Sequence, residues 1–478
     1  MTAVEAASDW SMFPRYGYLT RYSAEVDAQS TLERLNKFHI NGLFYYDVID
    51  RHEKPLAGTV ESPAESWNTL ANHEATKNIV SNLINIGHSY NMNSYMYNLI
   101  FGAYEDYAQS GVDQDWGLFE DFARTKQAYH GPLSENWETQ KLYLFNPGNV
   151  NWQNHYLRVT DDMLKVYDFD GIQVDSLGDR GTLYTKGGQI FGTDLSEQYS
   201  PLLNRLTQEL GTKVIFNPVS GYGLSEVMST VDYDIAYEEI WPFAAKSYSD
   251  LKAEVDNIRS LMTTENGSQK GIVIAAYMNY DVEKGKPFNV PGVLLANATL
   301  MASGAAHLEL GDTGMLSHEY YPGTTLVIDD VMDAKLRNYY SFMVAYENYL
   351  RDPALIACDA ATYINGTAAE RDSVVGQIWS FSKKSENAGQ VIHFINLCGT
   401  SSADWADSDG TQAEPTEQEN LTVRQYVDAI PQHVYLASPD HADGIMIELP
   451  FETGMDANGT YITFQMQQLH YWNMVILK

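Results

Sequence analysis

Asp175 and Glu239 are the two carboxylates whose surroundings most suggest chemistry. Asp175 closes the apolar run GIQVD (171–175) and is followed by Ser176-Leu177-Gly178, where the backbone can turn sharply. Glu239 sits in AYEEIWPF, between apolar Tyr237 and Ile240–Trp241. Apolar surroundings favour the protonated form of a carboxyl, which suits a proton donor. Two carboxylates on different strands can cleave a glycosidic bond. One attacks the anomeric carbon or activates water, and the other protonates the leaving oxygen. Metal binding, phosphate-linked chemistry and structural pairing are the other uses of such a pair. Glu238 is adjacent to Glu239, and on a strand their side chains point to opposite faces, so only one can reach a common centre. Spacing favours Glu239. Asp170 and Asp179 flank the GIQVD run and read as capping, turn or pairing residues.

These residues need elements to position them. Short apolar runs ending in a polar residue recur as GLFYYD (42–47), SYMYN (94–98), LYLFN (142–146), GIQVD (171–175), KVIFN (213–217), AYEE (236–239), VIAAYMN (273–279) and AAHLE (305–309). Continuous apolar runs of this length suit strands buried on both faces. The gaps carry helical periodicity, as in Ile79, Leu83 and Ile86, with Gly87 read as the stop. The pattern predicts a (β/α)8 barrel of the TIM type, which gathers its functional groups at the C-terminal ends of the strands. Asp47, Asn98, Asn146, Asp175, Asn217, Glu239, Asn279 and Glu309 close the runs. A doubly wound open sheet is the rival, and it does not easily bring eight strand ends around one centre. Leu336, Tyr340, Met343, Tyr346 and Leu350 then form the apolar stripe of a helix that stops before Pro353. From about residue 355 the chain turns to short strands divided by turn residues: QIWSFSKK, QVIHFINL, HVYLASP, GIMIELPFE and TYITFQM. The expected organisation is a barrel over 1–354 and a C-terminal all-β, Greek-key-like sandwich over 355–478. The stretch 401–420, with six acidic residues and no basic one, reads as a solvated loop without the ligand spacing of an EF-hand.

Composition narrows the partners. Thirty Lys and Arg against 63 Asp and Glu leave a formal charge of −33, a field that repels nucleic acid and anionic membrane surfaces but tolerates a neutral substrate. With two cysteines, Cys358 and Cys398, there is no disulfide framework or zinc cluster, and free buried thiols are expected. The first ten residues have neither a basic start nor an apolar core of a signal peptide. No phosphate-cradling glycine motif follows a strand, and H-E-x-x-H and G-x-S-x-G are absent from the sequence, so no cofactor and no metal are read. His307 lies two residues before Glu309, so both share one strand face, where they could bind a metal, contact sugar hydroxyls or belong to the core.

Taken in order, these segments resemble glycoside hydrolase family 66, the endo-dextranases and cycloisomaltooligosaccharide glucanotransferases. They are FPRYGYLTRY (13–22), NGLFYYDVIDRHEKPL (41–56), YMYNLI (95–100), YLFNPGNVNWQ (143–153), FDGIQVDSLGD (169–179), YEEIWPF (237–243), AAYMN (275–279), HLELGD (307–312) and YYSFMVAYENYLRDP (339–353). The resemblance is close over about residues 11–355 and only general in the β-rich tail. It implies a retaining mechanism on α-1,6-linked glucan. The aspartate of the D-G-x-Q-x-D segment, Asp175, is then the nucleophile, and the glutamate just before the aliphatic residue and Trp, Glu239, the general acid/base. With GLFYYD as the first strand, Asp175 ends the fourth and Glu239 the sixth, and FPRYGYLTRY is an entry segment outside the count. From their strand-end positions, Asp47, Asn98, Gln173, Asn217, Tyr277, Asn279, His307 and Glu309 are the candidate contacts to sugar hydroxyls, with Trp241 as a stacking wall. Ile172 stands where many relatives have Trp, which alters packing around that strand and leaves the carboxylate in place. Members usually carry an immunoglobulin-like domain ahead of the barrel, whereas here about ten residues precede FPRYGYL.

The expected activity is endo-dextranase, with dextran and isomaltooligosaccharides as partners. The polymer's size makes the expected location extracellular. Cycloisomaltooligosaccharide glucanotransferase is the first alternative. Cyclising relatives carry an added carbohydrate-binding module in the barrel region, and the gaps from Asp175 to Glu239 and from Asn279 to Glu309 leave no room for one. A non-catalytic glucan-binding barrel is the second alternative, and the presence of both carboxylates argues against it.

Overall fold

A computed structural model describes residues 3–4, 7, 9–176, 178–187, 193–262, 270–318 and 326–478. Leu177, singled out above beside Asp175, lies outside the described residues, as does part of the first ten. Among the described residues, eight parallel strands alternate with eight helices. In chain order they are β1 (Tyr16–Leu19), α1 (Ala28–Asn36), β2 (Gly42–Tyr45), α2 (Lys77–Ser89), β3 (Asn93–Leu99), α3 (Val150–Val166), β4 (Gly171–Asp175) and α4 (Tyr199–Leu210). Then follow β5 (Lys213–Phe216), α5 (Leu224–Thr230), β6 (Ala236–Ile240), α6 (Tyr248–Leu261), β7 (Ile272–Ala276), α7 (Val290–Ser303), β8 (Ala305–Leu308) and α8 (Asp330–Ala345). β6 and β7 are buried along their whole length: β7 (IVIAA) is a continuous apolar run, whereas β6 (AYEEI) carries two glutamates into the interior. The helices start where a side chain can satisfy free N–H groups: Asp27, Thr76, Asn149 and Asn289 cap α1, α2, α3 and α7, and Ser247 with Asp250 forms a capping box on α6.

The parallel strands fall into two ladders. One runs β5-β4-β3-β2-β1 and then Leu310–Gly311, and the other runs β6-β7-β8. Leu310–Gly311 follows β8 after Glu309 and pairs with β1 at Tyr18. On the other side, the Asp234 amide donates to Val214 O at 2.8 Å, which ties the approach to β6 onto β5. The expected alternation and parallel pairing are therefore present, while the ladder is interrupted at these two places.

Two strand assignments are corrected. Leu142–Leu144 pairs antiparallel with Gly102–Ala103 and Tyr129–His130 in a small separate sheet, so Asn146 does not close a strand of the parallel set. Tyr16–Leu19, taken above as an entry segment, is the missing parallel strand. One strand leaves the count and one enters it ahead of β2, so Asp175 still ends the fourth and Glu239 lies in the sixth. Gly87 does not stop α2, which continues to Ser89. A Cβ there would press within 3.1 Å of Leu43, so the glycine lets the helix lie close on β2. The helix read through Leu350 breaks at Tyr346, after which Glu347–Leu350 forms one further turn.

Beyond residue 355 two antiparallel sheets pack face to face. The six-stranded sheet has Ile378–Ser385, Gly389–Asn396 and Trp472–Leu477 at its centre, and the five-stranded sheet is built on Gln418–Tyr426 and Gly459–Leu469. Ile392, Phe394, Val423, Ile462, Phe464 and Val475 fill the space between them. The alternate residues Val391, Ile395 and Trp472 face the other way and join the large core, where Trp472 meets Phe342 of α8 at 5.1 Å. The acidic stretch 401–420 is not simply solvated. Trp405, Ala406, Asp407 and Gln412 are buried, and the Trp405 indole donates to Ala245 O at 2.5 Å. Cys358 and Cys398 are free and only partly buried.

Candidate active site

The register of β4 against β5 makes the site. The Asn217 amide continues the ladder to Val174 O at 2.9 Å, which sets the Asn217 side chain beside Asp175. Its Nδ2 then donates to Asp175 Oδ1 at 2.8 Å and to Glu239 Oε2 at 2.8 Å. These two carboxyl oxygens are thus at most twice 2.8 Å apart. Asp175 also accepts from the Tyr97 hydroxyl at 2.6 Å and from the Ser176 amide at 2.5 Å. Ser176 has φ of 67°, the left-handed turn that folds its N–H back onto the carboxylate. Glu239 Oε1 accepts from the Tyr277 hydroxyl at 2.6 Å. Glu238 lies on the opposite face of β6, buried, with its Oε1 beside Gly221. Burial, and after it the charge of Glu254, push its carboxyl up to about 8.

A cavity of about 440 Å³ opens over these groups, lined by Asp47, His52, Tyr97, Gln173, Asp175, Asn217, Glu239, Trp241 and Tyr277 among others. Larger hollows lie elsewhere: two, of about 560 and 670 Å³, flank the segment 358–363, and one of about 470 Å³ lies beside Lys37 and Arg337. Volume alone therefore does not select the site, and the convergence of hydrogen-bonded carboxylates does.

Asp47 follows β2 with φ of 47° and is buried. Among the described residues neither of its carboxyl oxygens has a hydrogen-bond partner. Burial, and after it the Asp175 charge, raise its carboxyl to about 7. Burial holds His52 neutral, its pKa lowered to about 4, and its Nδ1 lies 2.9 Å from Asn98 Oδ1. Tyr97 is held protonated by burial and by the charge of Asp175, so it remains a donor. Arg180 also lines the cavity, its guanidinium 5.3 Å from the centre of the Phe101 ring.

Seven of the eleven residues singled out from sequence therefore meet at one cavity: Asp47, Gln173, Asp175, Asn217, Glu239, Trp241 and Tyr277. Four do not line it. Asn98 is fully buried and its amide donates to His52 O at 3.0 Å. Asn279 is buried and ties Asp407 O, at 2.6 Å, to the start of α7 through the Asn289 amide at 2.8 Å. His307 bonds Asn297 at 3.0 Å and Ala276 O at 2.9 Å. Glu309 accepts from Asn297 at 2.9 Å and from Tyr340 at 3.0 Å. These four are engaged by protein groups, as buried polar atoms require, and are corrected from sugar contacts to supports of the surrounding structure. Sequence reasoning missed Tyr97, His52 and Arg180. Alternation along SYMYN held the signal for Tyr97, because neighbours on a strand face opposite ways and Asn98 faces His52.

Parallel strands alternate with helices here, with two hydrogen-bonded carboxylates near the strand ends, an arrangement that suits an enzyme of the glycosidase type. The family model described as Glycosyl hydrolase family 66 matches residues 1–476, and the chain belongs to that family. It is 26% identical to a cycloisomaltooligosaccharide glucanotransferase of Niallia circulans, over 100% of this chain and 62% of that protein. It is equally 26% identical to a dextranase of Streptococcus salivarius, over 98% of this chain and 64% of that protein. The chain thus spans somewhat under two thirds of the length of these curated relatives. The crystal structure of a Paenibacillus sp. cycloisomaltooligosaccharide glucanotransferase complexed with cycloisomaltoheptaose matches with a TM-score of 0.91 at 25% identity, covering 100% of this chain and 86% of that one.

Proposed function

We propose that this protein is an endo-dextranase that hydrolyses internal α-1,6-glucosidic linkages with retention of configuration, on eight strands that act as one (β/α)8 barrel. The observation that carries the reading is the Asn217 amide held 2.8 Å from both Asp175 and Glu239. Carboxyl groups about 5–5.5 Å apart suit direct attack on the sugar, whereas inverting pairs stand about 6.5–9.5 Å apart to admit a water. The bridge supports the shorter spacing. Glu239 protonates the glycosidic oxygen as Asp175 attacks the anomeric carbon, giving a glycosyl ester on Asp175 and a free chain end. Glu239, now a carboxylate, takes a proton from water as its oxygen bonds the anomeric carbon, and the ester C–O bond breaks. Tyr97 and Asn217 hold Asp175, and Tyr277 holds Glu239. Asp47 and Gln173 face the sugar with their polar groups, and Trp241 walls the cleft. A polymer substrate places the reaction outside the cell, and among the described residues no helix is long and apolar enough to cross a membrane.

Intramolecular transfer to a cyclic product is the second reading, favoured by the likeness to the glucanotransferase structure. The short connections from β4 to β6 and from β7 to β8 support hydrolysis instead. Time-resolved product analysis on high-molecular-mass dextran separates the two. Fast viscosity loss with linear isomaltooligosaccharides is the expected result. A dominant cyclic product would replace the hydrolase reading with the transferase, and no attack on dextran would remove the substrate.

A further inference from the structure

Phe243 is a large apolar ring left 81% exposed. It is not an isolated surface residue. Its ring stacks on Trp241 with centroids 6.2 Å apart and planes 16° from parallel. Trp241 lines the catalytic cavity and meets Tyr277 at 4.9 Å. Tyr277 in turn donates to Glu239 at 2.6 Å. An unbroken run of rings therefore leads from the proton donor to solvent. The run is also held in place. The Ala244 and Ala245 amides turn back onto Trp241 O at 2.9 and 3.1 Å, and Trp405 pins Ala245 from below. An exposed ring on a fixed turn offers a ligand a surface that costs little ordering to use.

The side of the cleft follows from chemistry. The proton donor must stand beside the leaving oxygen, so the chain carried past Glu239 lies along the leaving-group side. Asp175, Tyr97 and Asp47 come from β2, β3 and β4 across the cavity. One face of a glucopyranose presents mainly C–H groups, which pack on the electron-rich face of an aromatic ring. Two nearly parallel rings provide room for more than one sugar.

We propose that Trp241 and Phe243 form an acceptor ledge, a subsite for glucosyl units of the departing chain and of an incoming isomaltooligosaccharide, with Phe243 controlling the balance between transfer and hydrolysis. The proposal rests on the α-1,6-glucan reading above. In the transfer step the acceptor hydroxyl oxygen bonds the anomeric carbon, its proton passes to the Glu239 carboxylate, and the ester bond to Asp175 breaks. A sugar seated on the ledge presents that hydroxyl in place of water.

The test compares wild type, Phe243→Ala and Phe243→Trp on an aryl α-isomaltoside donor with isomaltotriose as acceptor. The ratio of transfer product to hydrolysis product is measured at fixed donor conversion. Phe243→Ala is expected to lower the ratio about fivefold, and Phe243→Trp to restore it. A structural defect slows both outcomes alike and leaves the ratio unchanged, so an unchanged ratio overturns the ledge. A wild type that hydrolyses the donor but never transfers to isomaltotriose overturns it as well. A wild type inactive on the donor and on dextran removes the activity reading itself, and the ledge with it.

Discussion

The Tyr97 hydroxyl donates to Asp175 Oδ2 at 2.6 Å, from a side chain buried in β3, one strand away from the carboxylate it holds. Burial and the neighbouring Asp175 charge keep the phenol protonated, so the bond has a fixed direction. It orients the carboxylate, and on the proposed mechanism it must yield as charge leaves Asp175 during attack. Tyr97→Phe keeps the ring and removes the donor. A hydrogen bond to a charged group contributes about 1.5–3 kcal/mol, so kcat on dextran should fall roughly 10- to 100-fold with the fold intact. Steady-state kinetics beside a melting curve checks this, and an unchanged kcat would remove Tyr97 from the machinery.

The neighbouring carboxylates of β6 make a sharper contrast. Glu239 faces the cavity and Glu238 faces away from it. Glu239→Gln should lower kcat on dextran by about 10²-fold or more, because the leaving sugar then departs unprotonated. An aryl glycoside whose leaving group needs no proton should be much less affected in its first step. Glu238→Gln should leave turnover within a few-fold of wild type. Its effect belongs to stability. Burial keeps the carboxyl protonated in the folded chain up to about pH 8, against 4.5 for the free group. Folding is therefore weakened as pH rises through that window, and the Gln variant should melt higher than wild type in alkaline buffer. Equal losses of activity in both variants would contradict the alternation.

How much of this was legible follows from what each run of residues had to satisfy. Parallel strands buried on both faces read as unbroken apolar runs, and seven of them stood out. β1 did not, because its sequence YGYL mixes tyrosines with a glycine. Gly17 lets β1 lie close to Leu310 O and Ile40, which would lie 3.1 and 3.2 Å from a Cβ, and the Tyr16 hydroxyl reaches Gln173 at 3.3 Å. LYLFN was misread because Leu142 and Leu144 are buried in a short antiparallel sheet as thoroughly as barrel residues are. Both catalytic candidates were legible from strand ends. Asn279, His307 and Glu309 were misassigned because a polar residue at a strand end can equally face a neighbouring helix, and their partners Asn297, Asn289 and Tyr340 lie on or beside α7 and α8.

Asp47 ties acidity to stability. Its carboxyl is held up at about 7, against 3.8 for the free group, by burial and by Asp175. Between these values the folded chain keeps a proton that the unfolded chain has released, so stability falls as pH rises through the window and levels off above it. Asp47→Asn carries no charge to bury. Its melting temperature relative to wild type should be unchanged near pH 4, climb from pH 4 to 7, and stay a few degrees higher at pH 8. Turnover should fall at every pH, since the amide presents one fewer acceptor to a sugar hydroxyl. Glu238 titrates in both proteins and cancels from the comparison. A melting difference that does not vary with pH would show that Asp47 is not the buried acid.

The loop around Trp405 joins the β-rich half of the chain to the wall of the cavity. The indole is fully buried and donates to Ala245 O at 2.5 Å, and the preceding Asp404 pairs with Ser247 at the cap of α6. Ala245 belongs to the turn that carries Trp241 and Phe243, so a residue far along the chain fixes the wall of the cleft. Trp405→Phe retains most of the ring volume and leaves the Ala245 carbonyl unpaired, which should cost about 1 kcal/mol of stability. If the loop only stabilises the fold, the variant will match a core substitution of equal cost, such as Ile462→Val between the two antiparallel sheets. If it also holds the wall, Trp405→Phe alone should raise KM for dextran by about two- to fivefold while kcat changes less. Measuring both variants at the same melting temperature offset distinguishes these outcomes, and equal KM values would confine Trp405 to packing.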